Sequence, residues 1–351
     1  MKMYVRILLA VFCAALVLAM PFVLSAPNLL QEAEWQLEDL YRDDSGWLRF
    51  LAPTAFAEEA EEETAESAYS LPLDFTPGYP PNPACFTEDG YEDASISVRM
   101  ETREEKGVTY RIAWVQVASP TQLRTAIAGN IKVSSSGRVS FPSSVAKVKA
   151  IASNNNAIVA VNGDYYSDAP QKTTFEYRMG MMIRDNTNQT KDMLLIDDQG
   201  DFHIVFAQEK KAQRAELDAL LSDYNIVNAY TFGPALVHAG ELLKTSTGYG
   251  YDPNGLTART AIGQIDTLRY VLVVAEGVQK PEKGVTQQTL ANFMYSLGCR
   301  EAFNLDGGGS SAMYYAGLGT SKYYNVLMGG DRDMSDIIYF ATAVPPEEWE
   351  N

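Results

Sequence analysis

Apolar and polar residues follow two different patterns along most of this chain. Residues 96–100 and 110–114 alternate between apolar and polar side chains, and this period of two predicts two antiparallel strands. Short apolar runs bounded by polar turns predict further strands at 157–161, 179–183, 193–196, 202–206, 268–275, 302–305 and 337–340. Together these stretches predict one mixed, largely antiparallel sheet.

Helices are predicted at only three places within the same part of the chain. Apolar residues recur at helical spacing in 143–152, 212–221 and 286–297. Many strands beside few helices indicate an α/β (α+β) fold, in which the mixed sheet is flanked by a few helices. We expect one domain, over residues 85–345.

The N-terminal residues have a different character. Lys2 and Arg6 precede an apolar run from Ile7 to Leu24, a length close to that of a membrane-spanning segment. Positive charge before such a run predicts that the following chain is exported. Residues 1–26 are therefore predicted to be a signal anchor, or a signal peptide if they are cleaved.

A linker is predicted between this segment and the domain. Residues 27–84 form a juxtamembrane segment that continues into the acidic run Glu58–Glu63 and the proline-rich stretch Thr76–Pro83. The domain is therefore expected to lie outside the cytoplasm, anchored to the membrane through the N-terminal segment, or secreted after cleavage.

Charge and rare residues limit the possible functions. The formal net charge is −17, which argues against nucleic acid or an anionic membrane surface as a partner, because binding either requires clustered Lys and Arg. The chain has two histidines, and neither lies in a motif typical of a Ser-His-Asp triad. The cysteines show no zinc-type spacing.

The most informative motif follows the predicted strand 302–305. Its residues are Asn304, Leu305, Asp306, Gly307, Gly308, Gly309, Ser310 and Ser311. Three consecutive glycines suit a turn in which the backbone is approached closely. Successive backbone N–H groups in such a turn can also bind an anion. The motif therefore predicts a ligand site at the end of a strand.

Two more strand ends carry similar residues. Asn162, Gly163, Asp164 and Tyr165 follow the apolar run 157–161. Arg259 begins one apolar segment, and Glu276 ends the next. Polar residues that leave several strands from distant parts of the chain predict a cleft at the edge of a sheet.

These motifs, in this order and with Phe232–Val237 between the first two, resemble the phosphodiester glycosidase family. The resemblance extends over about residues 95–343, and the stretch Asn304–Ser311 is its most diagnostic part. Asp164 stands where a second glycine is common in the family, and Glu276 stands where an aspartate is common. Arg332 lies in a segment that resembles the family's Glu-Arg pair.

The resemblance implies a catalytic domain that cleaves the glycosidic bond of a sugar-1-phosphodiester. Asp306 is the predicted nucleophile or stabiliser of an oxocarbenium-like centre, with Asp164 as its acid/base partner or as a ligand of sugar hydroxyls. Arg259 and the glycine amides are expected to hold the phosphate. The further predicted substrate contacts are Asn162, Gly163, Tyr165, Glu276, Asn304, Gly307, Gly308, Gly309, Ser310, Ser311 and Arg332.

Other functions fit the same residues. A non-catalytic protein that binds cell-envelope glycans, or that takes part in exopolysaccharide assembly, needs a similar cleft without a positioned nucleophile. No cofactor is required by the motifs. A divalent cation stays open as an alternative, because the Asp164 and Asp306 carboxylates are hard oxygen ligands.

Overall fold

The computed structural model describes residues 69–129, 132–133, 139–140, 144–164, 175–185, 191–245, 253–277, 284–317, 323–325 and 332–349. The predicted signal segment 1–26, the acidic run Glu58–Glu63 and Tyr165 lie outside the described residues. Within the described ranges, no helix is long and apolar enough to cross a membrane.

The described residues form twenty strands, and every pairing between them is antiparallel. The bounds are β1 Gly90–Glu92, β2 Ile96–Glu105, β3 Val108–Val117, β4 Leu123–Ile127, β5 Lys132–Val133, β6 Val139–Ser140, β7 Val159–Asn162, β8 Phe175–Arg178, β9 Met181–Asp185 and β10 Met193–Asp197. The remaining ten are β11 Phe202–Val205, β12 Ile226–Tyr230, β13 Ala235–His238, β14 Glu241–Leu242, β15 Arg259–Asp266, β16 Arg269–Ala275, β17 Glu301–Asn304, β18 Ala312–Tyr315, β19 Tyr323–Asn325 and β20 Asp336–Phe340.

These strands form three large sheets and one hairpin, whereas the sequence predicts a single sheet. The first sheet has the order β1-β2-β3-β16-β15-β17-β13-β14. The second has the order β11-β10-β12-β8-β9, and the third has the order β19-β18-β7-β20-β4. Strands β5 and β6 form the hairpin. The α/β class with largely antiparallel pairing is confirmed.

Within the described residues, three α-helices accompany the sheets: α1 Val148–Asn154, α2 Lys210–Asp223 and α3 Gln287–Ser296. The second and third agree with the prediction to within two residues at each end. Helix α1 begins later than the predicted residue 143, because Ala146 exchanges backbone hydrogen bonds with Met334 and is therefore held in an extended bridge.

One hydrophobic core joins the three large sheets. Val115 and Leu272 of the first sheet, Leu194 of the second and Val161 and Ile338 of the third are all buried in the same cluster. Because the sheets pack on one core, the ends of strands from different sheets meet around it. This meeting point contains the predicted site.

The proline-rich end of the predicted linker packs on the domain. Arg124 is fully buried, and its guanidinium donates to the carbonyl oxygens of Pro72 (2.9 Å), Asp74 (2.9 Å) and Thr76 (2.8 Å). Leu71, at the start of the same segment, is also buried. We call residues 71–79 the docked segment.

Candidate functional site

The two asparagine-containing motifs of the sequence are in direct contact. The Asp306 N–H donates to the Gly163 carbonyl oxygen at 3.3 Å. In the other direction, Asn162 Nδ2 donates to the Asp306 carbonyl oxygen at 2.8 Å. The end of β7 in the third sheet is thus joined to the turn after β17 in the first sheet.

Asn162 uses both ends of its side-chain amide within the protein. Its Oδ1 accepts hydrogen bonds from Thr260 Oγ1 (2.9 Å) and from the Ala312 N–H (3.1 Å). The side chain is fully buried. Asn162 therefore connects β7 with β15, with β18 and with the turn that carries Asp306.

Residue 163 must be glycine because the Asp336 carboxylate approaches it closely. A Cβ atom at this position would lie 2.1 Å from Asp336 Oδ1 and 2.6 Å from its Cγ, well inside van der Waals contact. The Gly163 N–H donates to the Asp336 carbonyl oxygen at 3.1 Å. The chain can thus carry Asp336 directly against the strand exit only if residue 163 has no side chain.

Asp306 lies at the start of the glycine turn, and its side chain is 6% exposed. Its Oδ1 accepts a hydrogen bond from the Gly307 N–H at 2.8 Å. A Cβ atom at Gly307 would lie 2.9 Å from the Ala258 carbonyl oxygen, so the turn fits against β15 only with glycine there. The carboxylate is held by its own turn.

Most amides of the glycine turn are already used by the protein. The N–H groups of Gly307, Gly308, Ser310 and Ser311 donate to acceptors on Asp306, Ala258, Gly307 and Gly308, respectively. Among these turn amides, only that of Gly309 has no acceptor within the described residues. The turn therefore offers one backbone donor, and not the row of donors that the sequence predicts.

Asn304 Oδ1 and Ser311 Oγ are among the buried side-chain oxygens that lack a hydrogen-bond partner in the described part of the chain. The rest of the Asn304 side chain is fixed, because its Nδ2 donates to the Gly233 carbonyl oxygen at 2.7 Å. A buried polar atom in such a place is usually satisfied by water or by a ligand.

The two predicted arginines differ in exposure. Arg259 is buried, and its Nε and Nη2 donate to the carbonyl oxygens of Val285 (2.8 Å) and Gly255 (3.1 Å). Arg332 is exposed, and its Nη1 donates to Ser310 Oγ at 3.0 Å. Of the two, Arg332 is the exposed residue, and its guanidinium lies beside the glycine turn.

Glu276 directly follows β16, and its contacts are with β3 of the first sheet. Its Oε1 accepts a hydrogen bond from Arg111 Nε at 2.6 Å, and both side chains are partly exposed. Its backbone N–H donates to Thr109. These contacts tie Glu276 to β3 within the first sheet.

Asp164 is buried and holds a loop. Its Oδ2 accepts from the Thr231 N–H (2.9 Å) and from Arg178 Nη2 (3.1 Å), and its Oδ1 accepts from the Phe232 N–H (3.2 Å). Both oxygens therefore face donors of the protein.

Burial raises the pKa of Asp164 to about 7. The Arg178 guanidinium and the Thr231 N–H oppose this rise, while the nearby Asp336 and Glu176 carboxylates add to it. Asp164 therefore takes up a proton far more readily than an ordinary aspartate.

Sequence motifs do not single out Arg178 or Asp336, which complete this cluster. Arg178 Nε donates to Asp336 Oδ2 at 2.8 Å, and both side chains are buried. The position of Asp336 was nevertheless an indication, because this residue directly precedes the predicted strand 337–340. Within the described residues, no group of three or more His, Cys, Asp or Glu side chains is placed to hold a metal ion.

Comparison with known proteins adds a family and a fold. The family model for phosphodiester glycosidase matches residues 155–341, which is more than half of the chain. A search of curated proteins finds no match.

Solved structures give a second comparison. The chain is similar to the catalytic domain of zebrafish N-acetylglucosamine-1-phosphodiester alpha-N-acetylglucosaminidase, auto-inhibited by its pro-peptide, with a TM-score of 0.52 and 18% identity over 70% of this chain and 82% of that one. It also matches a hypothetical protein from Synechocystis with a TM-score of 0.43 and 13% identity, over 70% of this chain and 62% of that one. At 18% identity, the first of these likenesses concerns the fold.

Proposed function

This chain belongs to the phosphodiester glycosidase family, and from that premise we propose that it cleaves the glycosidic bond of a sugar-1-phosphodiester outside the cytoplasm. A glycosidase-type hydrolase of this family acts on a phosphate-linked carbohydrate. The proposed substrate is a sugar such as N-acetylglucosamine 1-phosphate, linked to another sugar or to an envelope polymer. The name of the zebrafish protein supports this choice of sugar.

The observation that carries the proposal is the contact between the two motifs. The hydrogen bonds between Asp306 and residues 162 and 163 hold a carboxylate at a junction of two sheets. A carboxylate there can attack the anomeric carbon or stabilise the oxocarbenium-like centre that forms when the glycosidic bond breaks. We assign this catalytic role to Asp306.

The leaving group determines what else the site must supply. Breaking the sugar C1–O bond releases a phosphomonoester, whose second pKa is about 6. Such a group leaves with little help from a general acid, so binding of the phosphate charge is the larger requirement. We propose that Arg332 binds the phosphate together with the Gly309 N–H, because its exposed guanidinium lies over Gly309 and contacts Ser310.

The sugar needs hydrogen-bonding groups of its own. Asn304 Oδ1 and Ser311 Oγ can bind hydroxyl groups, which would offset the cost of about 1–3 kcal/mol for leaving a buried polar atom unpaired. We propose that Tyr165 adds an aromatic face and that Glu276 orients Arg111 of β3. Asn162 is proposed to position Asp306, and Asp164 to hold the 231–234 loop.

A turnover assay tests the proposal. The wild-type chain should release free sugar from N-acetylglucosamine-1-phosphodiesters, and Asp306→Asn should lower kcat by about 10³-fold or more because it removes the charge and keeps the shape. Asp218→Asn, on the exposed side of α2, is the matched control and should keep wild-type kcat. Melting temperature should be unchanged in both variants.

Other outcomes separate the alternatives. Glycan binding by the wild-type chain with no sugar release would favour an envelope glycan-binding or exopolysaccharide-assembly protein. Loss of turnover in the presence of a chelator would indicate a divalent cation. A wild-type kcat in Asp306→Asn would remove Asp306 from the mechanism.

A further inference from the structure

All three nitrogen atoms of the Arg178 guanidinium donate hydrogen bonds within the protein. It is fully buried at the end of β8, where Nε donates to Asp336 Oδ2 (2.8 Å) and Nη2 donates to Asp164 Oδ2 (3.1 Å). Its Nη1 donates to the carbonyl oxygens of Tyr177 and Ala229. The guanidinium thus bridges two carboxylates from different parts of the chain.

The first carboxylate, Asp164, connects Arg178 to Asn304 through hydrogen bonds. Asp164 accepts the N–H groups of residues 231 and 232, which fixes the start of the loop between β12 and β13. The next two residues of that loop, Gly233 and Pro234, accept hydrogen bonds from Asn304 Nδ2 (2.7 Å) and from the Asn304 N–H (3.0 Å). Arg178 is therefore linked through Asp164 to the proposed sugar-binding amide.

The second carboxylate, Asp336, connects Arg178 to Asp306 through Gly163. Asp336 lies directly against Gly163 and accepts its N–H at the backbone carbonyl. Gly163 in turn accepts the Asp306 N–H at 3.3 Å. The other side of the same guanidinium is therefore linked to the catalytic carboxylate.

The charges around Arg178 explain why it cannot be exchanged freely. Asp164, Asp336 and Glu176, whose Oε1 is 3.9 Å away, all face this one cation. Glu176 is also paired with Arg184 at 2.8 Å, and the Tyr230 ring lies 4.2 Å from the Arg178 Cζ. Removing the arginine would leave several buried carboxylates without compensation.

We propose that Arg178 is a positioning residue of the active site, which orients the Asn304 side chain and the turn that carries Asp306 by bridging Asp164 and Asp336. The catalytic part of this inference rests on the proposed function. The bridge itself is a geometric claim, and it can be tested without turnover.

The test compares two equally buried arginines in the full chain, purified in detergent. Arg178→Lys keeps the charge, but a single ammonium group cannot contact both carboxylates in the same geometry. Arg124→Lys is the matched control, because Arg124 is also fully buried but binds the docked segment. We expect Arg178→Lys to lower kcat about 10- to 100-fold with KM changed less than about threefold, as for a small displacement of a reacting group. Arg124→Lys should lower the melting temperature without changing kcat.

A second readout reports position directly. With selective ¹⁵N labelling of asparagine and aspartate, Arg178→Lys should shift both the Asn304 side-chain amide resonance and the Asp306 backbone amide resonance, and Arg124→Lys should shift neither. If Arg178→Lys does not fold, Asp164→Asn removes one of the two bridged carboxylates and should still move the Asn304 resonance. Unmoved resonances in these variants would overturn the inference. Shifted resonances in a protein that releases no sugar would uphold the bridge and refute the proposed function.

Discussion

Arg332 and Arg259 both lie beside the glycine turn, but only Arg332 is exposed. If Arg332 binds phosphate, Arg332→Lys should lower kcat/KM on a sugar phosphodiester about tenfold, the effect of losing one charge-assisted hydrogen bond of ~1.5 kcal/mol. The loss should be smaller on an aryl glycoside of the same sugar, which carries no phosphate. Steady-state kinetics on the two substrates measures the difference.

Arg259→Lys is the comparison for this prediction. Because the Arg259 guanidinium holds the carbonyl oxygens of Val285 and Gly255, its replacement should lower the melting temperature and reduce activity on both substrates alike. A selective loss on phosphodiesters in Arg259→Lys, with none in Arg332→Lys, would return the phosphate-binding role to Arg259.

Asp164 makes stability depend on pH in a definite direction. Its folded-state pKa is raised to about 7, above the 3.8 of an ordinary aspartate, so the folded protein holds this proton more tightly than the unfolded chain. The resulting stabilisation is complete below about pH 4 and is lost as the pH rises through about 7. The melting temperature of the wild type relative to Asp164→Asn should therefore fall by a few °C between pH 5 and pH 8.

Two aspects of this measurement keep it specific. Asp164→Asn removes the titrating group but leaves Arg178, Asp336, Glu176 and Arg184 in place, so their contributions largely cancel in the difference. A wild-type-minus-variant difference that stays constant over this pH range would show that Asp164 is ionised throughout.

At the scale of elements, a strand could be predicted where its apolar run is long enough to be recognised in the sequence. The stretches 268–275 and 302–305 correspond to β16 and β17, whose residues are all buried except Glu301. Which strands pair could not be predicted, because periodicity says nothing about partners. Strand β17 lies between β15 and β13, and that order is set by packing in the folded state.

The candidate site could likewise be predicted only in part. Its glycine turn and asparagine motifs are visible in the sequence, because close backbone approach demands particular residues. Arg178 and Asp336 are 158 positions apart, and their ion pair exists only once β8 and β20 lie together. Likewise, the pattern around Arg259 does not reveal that its guanidinium turns inward to bind carbonyl oxygens.

The docked segment shows how packing can overrule composition. Proline-rich sequence predicts a linker, and proline lacks an N–H group, but the carbonyl oxygens of such a segment remain free to accept hydrogen bonds. Arg124 donates to three of them, and Tyr79 forms a bridge with Thr342 at the far end. Residues 71–79 therefore belong to the folded domain as a structural element.

At the scale of the whole molecule, charge and the N-terminal segment together suggest how the domain is presented. A net charge of −17 repels an anionic membrane surface within about a Debye length, roughly 8–10 Å at physiological salt. An acidic tether on an anchored chain would therefore hold the domain away from the membrane. Such a position would suit the proposed hydrolysis of envelope polymers.

This arrangement predicts both where the protein is found and where it is cut. We expect the full chain to fractionate with membranes, and external protease to release an active fragment that begins between Ala57 and Leu71. Cleavage should not occur within the docked segment, because the buried Arg124 binds its backbone carbonyls. N-terminal sequencing of the released fragment measures the boundary, and Arg124→Ala, which frees the segment, should move it to later residues. Recovery of a soluble secreted protein that begins near Pro27 would instead mean that the apolar run is a cleaved signal peptide and that no tether exists.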